Sequence, residues 1–180
     1  MDLITVRRVV PDDWEVWRAV RTAALTSDTD VFGPSPEGLQ ELGEEEWRDL
    51  LDAGLGMKAV AFAGSEPVGL AGVQLLDGEP AAAEGHSLWV RPTARAHGVA
   101  RLLIAETVAW AAEQGCESVG AWTVATNDRA LAVLERFGFR ATGLQRRHPR
   151  DPRVRLRGSC YLIPETRRSP APAAGRGEAG

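Results

Sequence analysis

Cysteine, histidine and tyrosine are scarce in this sequence, and each shortage removes a class of chemistry. Cys116 and Cys160 are the only cysteines in 180 residues. Two unclustered thiols predict reduced, buried, small apolar residues, with no disulfide framework. His86, His97 and His148 share no metal-ligand spacing with Cys, Asp or Glu, so no metal site is expected. A G-x-S-x-G elbow and a Walker loop are both missing. Positive charge is not in excess either: 21 Lys and Arg stand against 25 Asp and Glu, for a net charge of −4. That balance excludes general nucleic-acid affinity, which needs a basic surface. No apolar run approaches the length of a membrane span, and "MDLITVRRVVPDDW" lacks a signal-peptide core. A cytoplasmic chain with no membrane partner is expected.

What remains is an ordinary globular composition, 44% hydrophobic and 26% charged, in a length suited to one domain with its own core. "LITVRRVV" (3–10) reads as a strand stopped by Pro11. "PDDWEVWRAVRTAALTS" has Pro and Asp at its start and apolar residues at helical spacing. "DTDVFGPSPEGLQ" is a Gly/Pro loop, and "EEEWRDLLDAG" a short helix closed by Gly54. Three β-type runs follow, 57–64, 66–76 and 84–92, separated by Gly64-Ser65 and Asp77-Gly78, and predict an antiparallel meander. "GVARLLIAETVAWAAEQG" is the strongest helix, and it is followed by strand, helix, strand and a last strand near "GSCYLIP". The pattern predicts an α/β fold, a mixed and mostly antiparallel sheet flanked by helices, with the longest helix as a crossover. Residues 1–163 form the expected domain and 164–180, rich in Pro, Ala and Gly, a disordered tail.

The stretch with most chemical content is "RPTARAHGVARLL", residues 91–103, where a strand hands over to that long helix. It holds Arg95, Gly98 and Ala100 in the pattern R-x-x-G-x-A. A helix N-terminus presents unpaired N–H groups and the positive end of a dipole, a setting for phosphate. Glycine lets the backbone come close to a ligand, a small Ala100 keeps the next contact open, and Arg95 and Arg101 add charge suited to a diphosphate. A plain strand-to-helix turn with solvated arginines accounts for the same residues.

The neighbouring residues decide which reading is developed. "LWVRPTARAHGVA" resembles the first signature of the GNAT superfamily of N-acetyltransferases, an apolar triplet, Pro, then [Q/R]-x-x-G-x-[G/A] opening a helix. "NDRALAVLERFGF" is similar to its second signature, with Asn127, Ala130, Gly138 and Phe139 in place. The resemblance implies acetyl-CoA as acyl donor and no metal. It implies that backbone groups of Leu88, Trp89 and Val90 meet the pantetheine arm, with the Val90 N–H facing the thioester oxygen. It implies that Arg95, Ala96, His97, Gly98, Val99, Ala100 and Arg101 hold the pyrophosphate, and that Asn127 contacts the cofactor arm. On its own sequence Asn127 is also a helix N-cap.

Acetyl transfer to an amine needs a neutral nucleophile, and an alkylamine with a pKa of ~10.4 is only about one part in a thousand neutral at pH 7. A base is therefore expected. Glu84, six residues before Val90, is the candidate, with His86 two residues later on the same strand face and more simply read as a structural histidine. Where the family usually keeps a tyrosine as general acid, this chain has Leu134, and its only tyrosine is Tyr161 on the last strand. Two charge runs point to opposite acceptors, the acidic "EGLQELGEEEWRDLLD" and the basic "RRHPRDPRVRLR". The resemblance thus implies an N-acetyltransferase of a small-molecule amine, monomeric or homodimeric. Protein N-terminal or lysine acetylation, and a non-catalytic acyl-CoA-binding regulatory module, are the alternatives.

Overall fold

The computed structural model describes residues 3–28, 41–52, 54, 56–76 and 79–169. The expected Gly/Pro loop after residue 28 and the Asp77-Gly78 turn lie outside them.

Seven strands form one sheet in the order β1-β2-β3-β4-β5-β7-β6. They are β1 (Ile4–Val9), β2 (Met57–Ala63), β3 (Glu66–Leu76), β4 (Glu79–Val90), β5 (Ser118–Val124), β6 (Arg140–Arg147) and β7 (Arg155–Leu162). The expected meander is β2-β3-β4, antiparallel throughout. Among the described residues β4 and β5 are the only parallel neighbours, joined by the long helix as a crossover. β4 begins at Glu79, five residues earlier than the sequence pattern predicts, because "EPAAA" extends the β3–β4 ladder through Ala83 opposite Leu75.

Among the described residues four α-helices flank the sheet: α1 (Trp14–Ser27), α2 (Glu44–Asp49), α3 (Val99–Glu113) and α4 (Asp128–Phe137). α1 follows a short 3-10 turn, Pro11–Asp13, where Pro11 supplies a preset φ and Asp13 accepts from the Val10 N–H at 3.0 Å. α2 ends at Asp49, short of Gly54, since the Leu51 N–H tightens onto the Arg48 carbonyl at 2.9 Å.

Alternation along the strands divides the core into two layers. Val60, Leu70 and Trp89 face α1 and α2 and pack with Trp17, Val20 and Trp47. Ala59, Ala61, Val73 and Val119 face α3 and α4 and pack with Leu103, Val108 and Leu134. Cys116 is buried in that second layer, while Cys160 on β7 is only half-buried, and both thiols are free.

Residues 164–169, at the start of the expected tail, are among the described residues. They form a 3-10 turn at Glu165–Arg167, and the Ser169 N–H donates to the Ala112 carbonyl at 2.9 Å. Arg168 fixes the segment by donating to the Ile163 carbonyl at 2.9 Å and pairing with Glu117 at 3.2 Å. The remainder of the tail, 170–180, lies outside the described residues. Among the described residues no helix is long and apolar enough to cross a membrane, and no group of three or more His, Cys, Asp or Glu is placed to hold a metal ion.

Candidate active site

The parallel pairing of β4 with β5 runs only from Ala82–Ser118 to Gly85–Ala121. Beyond Gly85 the strands diverge, so β4 from His86 to Val90 keeps β3 on one side and loses its neighbour on the other. A β-bulge starts the divergence. Leu70 pairs with Trp89 and Gly72 with His86, so two residues of β4 face one of β3, and Ser87 sits at a φ of 59°. A left-handed non-glycine residue is a strained conformation, of the kind that proteins hold at functional sites.

The bulge also sets which way the backbone faces. The Arg91 N–H donates to the Val68 carbonyl at 2.8 Å. In an antiparallel ladder the next residue back then turns its N–H and C=O away from the partner strand. Val90 therefore points both groups into the gap, and its carbonyl accepts from Arg95 Nε at 2.9 Å. Trp89 faces the other way. It belongs to the hydrogen-bonded pair with Leu70, and its side chain is buried against α1, with Nε1 donating to Asp28 Oδ2 at 2.7 Å.

The turn after β4 makes a second feature. A 3-10 turn, Pro92–Ala94, leads into Ala96 at φ 67° and Gly98 at φ 79°, the latter the N-cap of α3. The first helical bond is from the Leu102 N–H to the Gly98 carbonyl at 3.2 Å, so Val99, Ala100 and Arg101 have no helical acceptor for their N–H groups. A Cβ added at Gly98 would meet nothing within 4 Å. His97 and Arg101 are exposed beside this open cradle. The loop thus has the free donors, left-handed residues and space that suit a diphosphate.

Arg95 directs its side chain away from this cradle. Its guanidinium turns inward, Nε to the Val90 carbonyl and Nη2 to Asp28 Oδ2 at 2.6 Å. Two acceptors in fork geometry hold it more strongly than solvent does. Asp28, which also accepts from Ser27 Oγ, stays ionised below the usual carboxylate range. Burial opposes that shift, and the hydrogen bonds from Trp89, Ser27 and Arg95 overcome it.

A cavity of about 280 Å³ runs through the β4–β5 gap. On the α3 and α4 side it is lined by Leu88, Asn127, Ala130 and Leu134. Asn127 caps α4 with Oδ1 accepting from the Ala130 N–H at 3.1 Å, the N-cap predicted for it. Leu134 is buried in the core layer at 6% exposure and puts no polar atom into the cavity. Tyr161 does not replace the missing hydroxyl, since its ring packs with Phe137 and Phe139 at centroid distances of 5.5 and 5.6 Å and does not line the cavity.

On the α1 side lie Glu84 and His86, brought to one face as the strand period predicts. Glu84 Oε1 accepts from Arg146 at 3.3 Å, and the Arg146 guanidinium stacks over Trp122 at 4.2 Å. His86 packs against Gly72, where an added Cβ would lie 2.8 Å from both ring nitrogens. Burial, reinforced by the charges of Lys58 and Arg21, pushes its pKa down to about 4, so its ring is neutral at pH 7. Arg21, His148 and Arg150 complete this side and were not singled out by the sequence. Arg21 sits on a helix where it reads as a surface charge, and the other two lie within a basic run whose turn was not predictable.

Residues 17–139 match the acetyltransferase (GNAT) family, and the chain belongs to that family. Among curated protein sequences none matches it significantly. The fold recurs in a GNAT-family acetyltransferase from Streptococcus pneumoniae, 17% identical, with a TM-score of 0.73 over 89% of this chain and 100% of that one. A ribosomal-protein-alanine N-acetyltransferase from Brucella melitensis, 19% identical, superposes with a TM-score of 0.71 over 88% and 99%. A ribosomal L7/L12 alpha-N-protein acetyltransferase in complex with coenzyme A, 13% identical, gives 0.69 over 89% and 94%.

Proposed function

We propose that this acetyltransferase uses acetyl-CoA to acetylate a primary amine of a small molecule by direct attack. The observation that carries the reading is the Val90 N–H turned into the β4–β5 gap, one turn upstream of an open cradle of unpaired N–H groups at 96–101. The donor supplies an activated acyl group whose thiolate, with a pKa near ~8.5, leaves tolerably without a proton.

The residues of the chain supply the rest. Ala96, His97, Gly98, Val99 and Ala100 offer backbone donors to the pyrophosphate, and Arg101 adds the charge that Arg95 does not. Leu88 and Asn127 border the arm of the donor along the gap. The Val90 N–H is aimed where negative charge develops on the carbonyl oxygen, the role of an oxyanion donor. Glu84 is the proton acceptor for the amine, through water. His86, neutral and buried, is the acceptor next in line.

Two solved relatives carry protein acetylation in their names, so a protein α-amine is the second reading. A single experiment separates these from a non-catalytic binder. Acetyl-CoA is titrated by calorimetry, and free thiol is then followed over a panel of small amines and N-terminal peptides. Binding with amine-dependent thiol release supports the enzyme. Binding with no acceptor-dependent release would make it an acyl-CoA-binding module.

A further inference from the structure

We infer that Glu84 and Trp122 bind the acceptor's amine as an ammonium ion, at a place the Arg146 guanidinium holds in this structure and yields when the acceptor enters. Such a site rests on the acetyltransferase reading, and it fixes the charge of the acceptor.

Two features of the cavity wall favour a cation. Glu84 is the only carboxylate among the described residues that line it, and its side chain is 19% exposed. Trp122, on β5, offers the face of its indole, whose π cloud attracts positive charge. The neighbouring strand holds that indole in place. Trp122 pairs with Gly158 on β7, and a Cβ added at Gly158 would lie 3.3 Å from two atoms of the ring. Glycine there lets the ring reach over β7 as a fixed platform. Arg146 meets both features at once, with Nη2 3.3 Å from Glu84 Oε1 and its guanidinium 4.2 Å from the indole centroid.

The hold of Arg146 is weak enough to be exchanged. A charge-assisted N–H···O bond closes to about 2.7–2.9 Å. The two bonds from Arg8 to Glu113 do so, at 2.7 and 2.8 Å. Arg146 makes a single bond of 3.3 Å to Glu84, and its side chain is 44% exposed. An ion pair so open to solvent contributes little. Its strand, β6, is an edge of the sheet with all eight residues exposed, so the long side chain can swing into solvent and leave the core intact.

A primary ammonium is smaller than a guanidinium, so it fits between the indole and the carboxylate with a water at its side. It also differs in chemistry. A guanidinium keeps its proton near neutral pH, so Arg146 is inert over Glu84, whereas an ammonium is the acid that the base must deprotonate. Its proton passes through the water to Glu84. The neutral amine then attacks the thioester carbon, and the C–S electron pair leaves on the thiolate.

Arg146 opens the basic run 146–157, which read on its own points to an anionic acceptor. Seated on a carboxylate and an indole, it points instead to a cationic one. Exchange of Arg146 for an ammonium leaves the positive charge in the cavity as it was. Arg150 is exposed, where solvent screens it, and Arg21 has an interaction partner of its own.

Methylguanidinium, which copies the end of an arginine side chain, tests the site without turnover. Calorimetry should show it binding Arg146→Ala roughly fivefold or more tightly than the wild type, the scale of one partly exposed cation contact. Trp122→Leu or Glu84→Gln, each added to Arg146→Ala, should remove that gain, with acetyl-CoA affinity unchanged throughout. Thiol release over a set of primary amines should give a KM lowered by a similar factor in Arg146→Ala, and a kcat that does not fall. Arg147→Gln removes a neighbouring charge that does not line the cavity, and should leave both constants near the wild type. A KM that rises or a kcat that drops in Arg146→Ala would overturn the inference, since Arg146 would then hold the acceptor or position Glu84. So would equal methylguanidinium affinity in the wild type and Arg146→Ala, or the same gain in Arg147→Gln, which would reduce the effect to net charge. If methylguanidinium binds as expected and no amine releases thiol, the cation site stands and the acetyltransferase reading falls.

Discussion

Arg95 and Asp28 form an ion pair of 2.6 Å that ties the end of α1 to the end of β4. The same guanidinium holds the Val90 carbonyl, so one side chain joins α1 to the residue aimed into the gap. Arg95→Lys keeps the charge but cannot serve both acceptors in fork geometry. Its melting temperature should fall, by the equivalent of roughly 1–3 kcal/mol for a charge-assisted contact. Arg101→Ala should do the reverse, weakening acetyl-CoA binding with the melting temperature unchanged. Thermal scans and calorimetry on both variants check the division. Equal behaviour of the two would mean that the arginines of this turn share one role.

Gly98 separates backbone strain from ligand contact. A side chain there meets nothing, yet φ is 79°, so Gly98→Ala should lose on the order of 1 kcal/mol of stability through conformation alone. Gly98→Glu should carry that cost and also place a carboxylate in the cradle. Acetyl-CoA affinity should then fall well below that of Gly98→Ala. Equal affinities would move the pyrophosphate elsewhere.

The sequence made the frame of this molecule legible and left its acceptor face unread. Periodicity located the strands and helices that bury a regular apolar face, turn signals located β6, whose residues are all exposed, and the two family signatures fall where the sheet opens. The residue pattern R-x-x-G-x-A could not show that Arg95 turns inward, since its partner Asp28 is 67 positions away. The bulge at Ser87 escaped for a related reason. It shifts the parity of β4, putting Glu84, His86 and Trp89 on one face, and no local residue signal marks it. Arg21 and Arg150 come to line one cavity only through tertiary packing.

His86 makes folding depend on pH. Its folded pKa of about 4 lies below the ordinary 6.5, so the unfolded chain binds more protons between these values. Stability should therefore rise with pH across that window and level off above it, by up to roughly 3 kcal/mol at about 1.4 kcal/mol per unit. In His86→Gln the rise should shrink. Denaturant midpoints of both proteins from pH 4 to 7 give the comparison, and parallel curves would show that His86 is hydrated in the folded state.

Leu134 offers no proton to the leaving thiolate. If none is needed, Leu134→Tyr should raise turnover modestly at most, well under the ~10²–10⁴ of a positioned acid. Leu134→Ala should hurt through packing, since the side chain is buried in the core layer. Steady-state kcat with a verified acceptor decides. A gain beyond a hundredfold in Leu134→Tyr would show that the wild type lacks an acid its chemistry requires.

Glu84 is the residue on which proton removal is staked. It lines the cavity on the α1 side, Arg146 fixes its Oε1, and it is the only carboxylate among the described residues lining that space. Glu84→Gln keeps the shape and a hydrogen bond to Arg146 and removes the proton acceptor. Acetyl-CoA affinity should stay unchanged, because Glu84 lies away from the 96–101 cradle. At neutral pH kcat/KM should fall by roughly 10²-fold or more, the scale of a lost general base. The deficit should narrow as pH climbs toward the amine's own ~10.4, where free amine no longer needs a base to form. A profile of kcat/KM against pH for both proteins gives the answer. A constant ratio at every pH would mean that Glu84 positions Arg146 or the acceptor instead. An unchanged rate would pass the proton to His86 or to solvent.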